Sequence, residues 1–167
     1  MNAHFYQNEF QKVANQLDKK ILSKKNLEVA VVNFVEDSLV LKLYKKAWAN
    51  DFENPISSES RIFFSVWISD ATLKEQKILY NIHALKLRKL NGFKIESRKF
   101  ADLFRAKFKV FKPQWENVSV DFGPLTLMQG WVNFNSESLE NDVLKLANQF
   151  FEIEHLIEET LSNFKKV

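Results

Sequence analysis

The chain has 167 residues, of which 46% are hydrophobic and 27% are charged, and it contains three glycines, three prolines and no cysteine. This size and composition are typical of one folded domain, and the lack of cysteine excludes disulfides, thiolate metal sites and cysteine nucleophiles. Because the sequence shows neither a leader pattern nor an apolar run of about eighteen residues, we expect a cytoplasmic protein that does not associate with membranes.

The positive charge is concentrated in one part of the chain, although the net charge at pH 7 is only +3. Residues 86–112 hold ten lysines or arginines and two acids, whereas residues 136–167 hold seven acids and three lysines. The sequence therefore contains a basic segment and an acidic segment that are able to pair with each other.

The first elements are a helix and a hairpin. Apolar residues at helical spacing predict an amphipathic helix over residues 5–25. Two runs rich in β-branched residues, 27–35 and 39–48, flank a short acidic turn at Glu36, Asp37 and Ser38, which predicts a β-hairpin.

A loop, a strand and a second helix follow. Pro55 and a serine cluster predict an exposed loop over residues 49–60. The next nine residues, 61–69, are apolar at both odd and even positions, which is typical of a central strand covered on two sides. Asp70 is then placed to cap a helix over residues 71–90, and Asn91 with Gly92 supplies a left-handed end to it.

The segment SRKFADLFRAKFKVFK, residues 97–112, predicts a helix with two distinct faces. Ser97 is placed as its N-cap, and Pro113 ends it. At 100° per residue, one arc carries Phe100, Leu103, Phe104, Phe108 and Phe111, and the opposite side carries Arg98, Asp102, Arg105, Lys109 and Lys112. The phenylalanines are therefore expected in the core, and the basic side on the surface.

Two further elements complete the prediction. Residues 118–122 and 125–134, around Gly123 and Pro124, predict a second hairpin. Residues 138–166 predict a long helix with near-heptad apolar spacing. Together the elements predict a single α+β domain over residues 1–167, in which helices pack on a mostly antiparallel sheet of about five strands.

Enzymatic sites find little support in the sequence. Scattered glycines exclude a phosphate-binding loop, and His4, His83 and His155 accompany no nucleophile-elbow motif, so we expect neither catalytic residues nor a cofactor. A degenerate or metal-dependent nuclease-like domain is a further alternative, with Asp37 as its first acid. The strand at 61–69, however, offers no acid or lysine to complete the metal site.

One cluster on the last predicted helix has metal-ligand chemistry. Glu152, His155 and Glu159, with Glu158, share one side of a continuous helix. Diiron helix bundles use two Glu-x-x-His pairs, whereas this chain supplies one. We therefore expect a solvated acidic face here and no metal.

Binding of an anionic partner is the leading functional expectation. The candidate residues are Arg98, Arg105, Lys109 and Lys112, extended by Arg88, Lys89 and Lys94. Clustered cations attract phosphates, so the partner is nucleic acid or another polyanion. The phenylalanines of the same segment face the core and are not expected to stack on bases.

The alternative is a structural or protein–protein interaction module without nucleic-acid binding. In that case the basic helix pairs with Glu152, Glu158 and Glu159, within the monomer or across a homodimer formed through helix 138–166. A related hypothesis places a ligand groove between sheet and helix, lined by Trp67, Trp131, Phe63 and Met128.

Overall fold

A five-stranded antiparallel sheet lies at the centre of the computed structural model, which describes residues 1–33 and 38–167. The strands are β1 (Glu28–Asn33), β2 (Leu39–Ala49), β3 (Arg61–Ile68), β4 (Lys77–Leu85) and β5 (Thr126–Asn133). Each strand pairs with the next one in the sequence, so β3 is the middle strand. The predicted α+β fold with about five strands is confirmed. The predicted turn residues Glu36 and Asp37 lie outside the described residues.

Six helices are found in the described residues: α1 (Ala3–Gln16), α2 (Lys19–Lys25), α3 (Asp70–Lys74), α4 (Ser97–Phe108), α5 (Leu139–Phe151) and α6 (Glu154–Ser162). None of them is long and apolar enough to cross a membrane. The single helix predicted over residues 5–25 is divided in two. Leu17 is extended, and the Asp18 carboxylate accepts hydrogen bonds from the backbone of Lys20 and Ile21, which starts α2.

The helix predicted over residues 71–90 is wrong. Its helical parts are α3 and one 3₁₀ turn at Leu87–Lys89. Helix α3 is capped by reciprocal hydrogen bonds between Ser69 and Thr72 and not by Asp70. Gln76 then adopts a left-handed conformation with φ of +58°, and the chain returns as β4. Pairing with β3 and β5 overrides the helical propensity of this segment.

The two C-terminal predictions are each altered in detail. Residues 118–122 do not form a full strand, because their ladder contact is a single bridge between Ser119 and Gln129. The predicted C-terminal helix spans 139–162 with one interruption, where 3₁₀-type hydrogen bonds at Glu152 and Ile153 separate α5 from α6.

The two faces of the sheet have different surroundings. Residues such as Phe64 and Val66 point to the side on which α1 and α5 pack, which we call the helix face. There, Phe64 stacks on Phe150 of α5 with ring centroids 4.6 Å apart and an interplanar angle of 10°. Trp115 meets the edge of Phe64 at 6.0 Å. Aromatic packing therefore fastens the C-terminal helices to the central strand.

Replacing Phe150 should remove its stacking contact with Phe64 and destabilise the core. We expect Phe150→Ala to lower the free energy of unfolding by about 3 to 5 kcal/mol, since a fully buried ring is lost and a cavity remains. The matched control is Phe52→Ala, because Phe52 is 61% exposed, and its effect should stay within about 0.5 kcal/mol. Urea denaturation measures both. Equal effects in the two variants would contradict this account of the core.

Candidate functional site

Helix α4 separates buried and exposed residues along its length. It buries Phe100, Phe104 and Phe108, whereas Leu103, predicted on the same arc, is 39% exposed. The helix starts at Ser97, and Glu96 occupies the N-cap position without a side-chain capping bond. The prediction of Ser97 as the N-cap is therefore wrong. The aromatic side chains of this helix are therefore unavailable for stacking on a ligand.

Arg105 does not face solvent as a free cation. Its Nε donates to the carbonyl of Leu127 at 3.1 Å, and its Nη2 contacts the carbonyls of Phe122, Gly123 and Thr126 at 2.8 to 3.1 Å. The side chain thus holds the segment that leads into β5. Because Nε and Nη2 are occupied, Arg105 is better described as a structural residue than as the predicted anion ligand.

The other candidates on α4 and after it are open to solvent. Arg98, Lys109 and Lys112 are exposed, and none makes an ion pair with a described residue. Arg88 is exposed as well, whereas Lys89 shares the Glu59 carboxylate with Lys86 at 2.8 and 2.9 Å. Hydrogen bonds from these two lysines lower the pKa of Glu59 to about 2.

Two acids of α6, Glu154 and Glu158, have partners elsewhere in the fold. Glu154 is 5% exposed and pairs with Lys25 at 3.0 Å and with Lys45 at 2.8 Å. Glu158 accepts from Lys45 at 2.9 Å and from the Trp48 indole at 3.0 Å. Within the described residues, neither acid pairs with a base of α4. The predicted pairing of α4 with Glu158 inside the monomer is therefore wrong.

The weak metal candidates do not converge. Glu152 is exposed in the break before α6, His155 packs edge-on against Phe111 at 5.8 Å, and Glu159 is exposed. Across the described residues, no group of three or more histidines and carboxylates is arranged to hold a metal ion. Asp37, the nuclease candidate, lies outside the described residues, and β3 carries neither an acid nor a lysine.

The opposite side of the sheet, which we call the groove face, carries a row of polar side chains. Strand register aligns Lys42, Ser65, Asn81 and Gln129 across four strands. The Ser65 hydroxyl donates to Asn81 Oδ1, and Asn81 Nδ2 donates to Gln129 Oε1 at 3.3 Å. Lys42, Ser65 and Asn81 are buried, so this row forms part of the floor of the sheet.

A groove of about 520 Å³ lies over this row. Its lining includes Phe63, Trp67 and His83. The predicted aromatic groove is therefore only partly right: Met128 points to the helix face, and Trp131 is not in the lining. Phe63 and Trp67 line the groove on the opposite side of the sheet from the helices.

Two cationic side chains contact the Phe63 ring in the groove. Lys42 Nζ lies 4.1 Å from the ring centre of Phe63, and the Arg61 guanidinium lies 5.5 Å from it. Burial, with Arg61 nearby, lowers the pKa of Lys42 to about 8. Burial also lowers the pKa of His83. The hydrogen bond to the Leu125 carbonyl opposes this shift, whereas the charges of Lys42 and Arg61 add to it.

Sequence reasoning missed Arg61, Asn81, His83 and Gln129 as a group. A helix was predicted over residues 71–90, which placed Asn81 and His83 on the wrong element. The available signal was the alternation of apolar and other residues over 77–85, where Ile78, Tyr80, Ile82 and Ala84 occupy every second position. With β4 in place, that alternation puts Asn81 and His83 beside β3.

Removing the Arg105 side chain should loosen the segment before β5. We expect Arg105→Gln to lower the free energy of unfolding by about 2 kcal/mol, since carbonyls that accept from a charged donor lose it. Lys109→Gln, which removes an exposed charge from the same helix, should change stability by less than about 0.5 kcal/mol. Urea denaturation and amide exchange over residues 122–127 check this, and equal effects would refute the structural role.

The buried carboxylate Glu154 should make stability depend on acid pH. Burial tends to raise the pKa of Glu154, but hydrogen bonds from Lys45 and Lys25 outweigh it and hold the folded-state pKa below its usual value. The stabilisation is therefore complete above the unfolded pKa of about 4.3 and is lost as the pH falls through the folded pKa.

We expect Glu154→Gln to lower stability at pH 7 by about 3 kcal/mol, because two lysines lose a buried partner. The gap between the variant and the wild type should then narrow as the pH drops below about 4. The control is Glu152→Gln, since Glu152 is exposed. Urea titrations at a series of pH values measure the gap, and a gap independent of pH would contradict the pairing.

Comparison with known proteins gives no further guidance on these surfaces. The chain matches no protein-family model, no curated protein and no solved structure. Function must therefore be argued from side-chain chemistry and geometry, which present two surfaces: the exposed cations of α4 and the groove on the sheet.

Proposed function

We propose that the protein is a non-enzymatic binding domain that recognises an anionic partner, nucleic acid in particular, through the exposed cations of α4 and the turn after it. One observation carries this proposal. Arg98, Lys109 and Lys112 are exposed, and no described carboxylate pairs with them. Two acids of α6, Glu154 and Glu158, pair with Lys25 and Lys45 instead. Uncompensated surface cations can neutralise phosphates and so release the counterions that are condensed on a nucleic acid.

Lysines at the C-terminal end add to this surface. The backbone of Lys94 bonds to the carbonyl of Phe164 at 2.7 Å, and the backbone of Lys166 bonds to the carbonyl of Gly92 at 3.1 Å. These bonds bring exposed Lys165 and Lys166 beside the segment that enters α4. The net positive charge of the region therefore exceeds that of α4 alone, in which Asp102 offsets part of the charge.

The chemistry of this surface favours contacts to the phosphate backbone. The phenylalanines of α4 are buried, so stacking on bases is not supplied by this helix. Lysine ammonium groups recognise charge without reading base edges. Binding should therefore be weakly dependent on sequence and strongly dependent on salt, with a slope set by the number of phosphates that the cations neutralise.

Charge reversal on α4 tests the proposal. We expect the double variant Arg98→Glu, Lys109→Glu to weaken binding of fluorescein-labelled 20-nucleotide single strands and duplexes by at least about tenfold at about 50 mM salt. The matched control is Lys19→Glu, Lys20→Glu, because both lysines are exposed on α2 and the change in net charge is the same. Fluorescence anisotropy measures the affinities.

Two results would reject the nucleic-acid proposal. One is the absence of binding by the wild type at low salt, and the other is an equal loss in the two double variants, which would show that only net charge matters. Arg105 is left out of the test variant, since its substitution is expected to disturb the segment before β5.

A protein–protein interaction module is the second candidate, and exposed apolar side chains near α4 favour it. Val110, Phe122 and Leu125 are 78%, 39% and 52% exposed. A homodimer through the predicted seam of helix 138–166 is not favoured, because Val143, Phe150 and the other main seam residues are buried within the monomer. Sedimentation of the samples used for anisotropy reports whether a second copy binds through another surface.

A further inference from the structure

We infer that the groove on the groove face of the sheet is a binding site for a small planar anion, an aromatic ring that carries a carboxylate or a phosphate. This site is separate from the basic surface of α4, and it does not depend on the function proposed above. It rests on a cation with an unused donor, on the lack of acids among the described lining residues, on apolar walls and on a fixed histidine.

Arg61 supplies the cation with an unused donor. Its Nη1 donates to the carbonyl of Ser58, but its Nε is buried and has no hydrogen-bond partner among the described residues. A buried guanidinium N–H without an acceptor costs free energy, and an anion in the groove that Arg61 lines would compensate the charge of this under-solvated side chain. Carboxylates and phosphates are the acceptors that fit the donor fork of arginine.

The charge of the lining fits an anion and disfavours a cation. Of the described residues that line the groove, none carries a carboxylate, whereas Arg61 is always charged. The side chain of Lys42 is buried beside the groove, and its Nζ lies against the face of the Phe63 ring. Because the Arg61 charge is partly removed from water, its attraction for an anion is screened less than at an exposed site.

The apolar part of the groove fits a flat ring. Phe63 is 5% exposed and lies 5.4 Å from the His83 ring, and Trp67 lines the groove two residues further along β3. Aromatic side chains pack well against aromatic ligands in offset or edge-on arrangements. The volume of about 520 Å³ lies within the range of small-molecule sites.

His83 and Gln129 add polar groups that orient a ligand. The Nδ1 of His83 lies 3.3 Å from the carbonyl of Leu125 and 3.3 Å from the Thr126 hydroxyl. A carbonyl only accepts, so it selects the tautomer with the proton on Nδ1 and leaves Nε2 as an acceptor. Gln129 Oε1 already accepts from Asn81, which keeps its amide N–H₂ as the donor. A ring with both a donor and an acceptor substituent suits this pair.

Probe titrations followed by ¹H–¹⁵N NMR test the inference. The probes are 2-naphthoate, 2-naphthyl phosphate and the uncharged 2-naphthamide, which keeps the ring and lacks the charge. We expect at least one of the two anions to bind about tenfold or more tightly than the amide, because only an anion makes charge-assisted bonds to Arg61. The Trp67 indole and the side-chain amides of Asn81 and Gln129 should shift on binding.

Two variants locate the charge preference. Arg61→Gln should reduce the tenfold preference for the anion to nearly none. Should that variant fail to fold, Leu85→Glu provides the same test, because Leu85 is paired with Arg61 and lines the groove, and a carboxylate there competes for the guanidinium. Arg98→Gln on α4 is the control and should leave the preference unchanged.

The possible results separate clearly. Preference for one anion over the other assigns the carboxylate or the phosphate as the recognised group. Equal affinity for both anions and the amide would overturn the inference, as would shifts confined to α4, or a preference that survives in both groove variants. The double variant with reversed charge on α4 should still bind the probe, so failure of the polyanion proposal leaves this test intact.

Discussion

Phe64 of the central strand stacks on Phe150 of α5, and this contact joins the two parts of the chain that build the core. Because β3 has neighbours on both sides, whatever packs on its helix face also fixes the surroundings of β2 and β4. The helices that bury Phe64 pack on one face of the sheet only, so the opposite face lacks the same apolar cover. The groove face therefore combines the buried Phe63 and the half-buried Trp67 with polar groups that bond to one another, as Ser65, Asn81 and Gln129 do.

The basic residues divide into classes according to what they contact. Lys25 and Lys45 neutralise carboxylates of α6, and Arg105 satisfies backbone carbonyls before β5. Arg61 is held partly out of water with a donor unused, while Arg98 stays in solvent. Net charge alone does not distinguish these classes, since each residue contributes one positive charge. Burial and hydrogen-bond geometry distinguish them, and they separate the two surfaces that we propose to bind anions.

Periodicity predicted the fold class and the first hairpin because residues 27–35 and 39–48 hold β-branched runs on either side of a turn. It failed at β4, where apolar residues at 78, 79, 82 and 85 fit helical spacing as well as alternation. The choice is made by backbone pairing with β3 and β5, which local sequence does not contain. For the site, spacing put Arg105 on the basic side of α4, but its acceptors lie in the loop at Phe122 and Gly123 and at the start of β5. The groove could not be predicted either, because its floor includes residues of β4, which had been assigned to a helix.

Because each strand pairs with the next one in the sequence, the pairing partners of the sheet leave the ribosome one after another. Strands β1 to β4 are complete in the nascent chain well before residue 150 is added. At a rate of synthesis of roughly 5 to 20 residues per second, the apolar side chains around Phe64 remain without α5 for several seconds. During translation this unfinished sheet exposes apolar surface, so a pause before α5 would favour aggregation over folding.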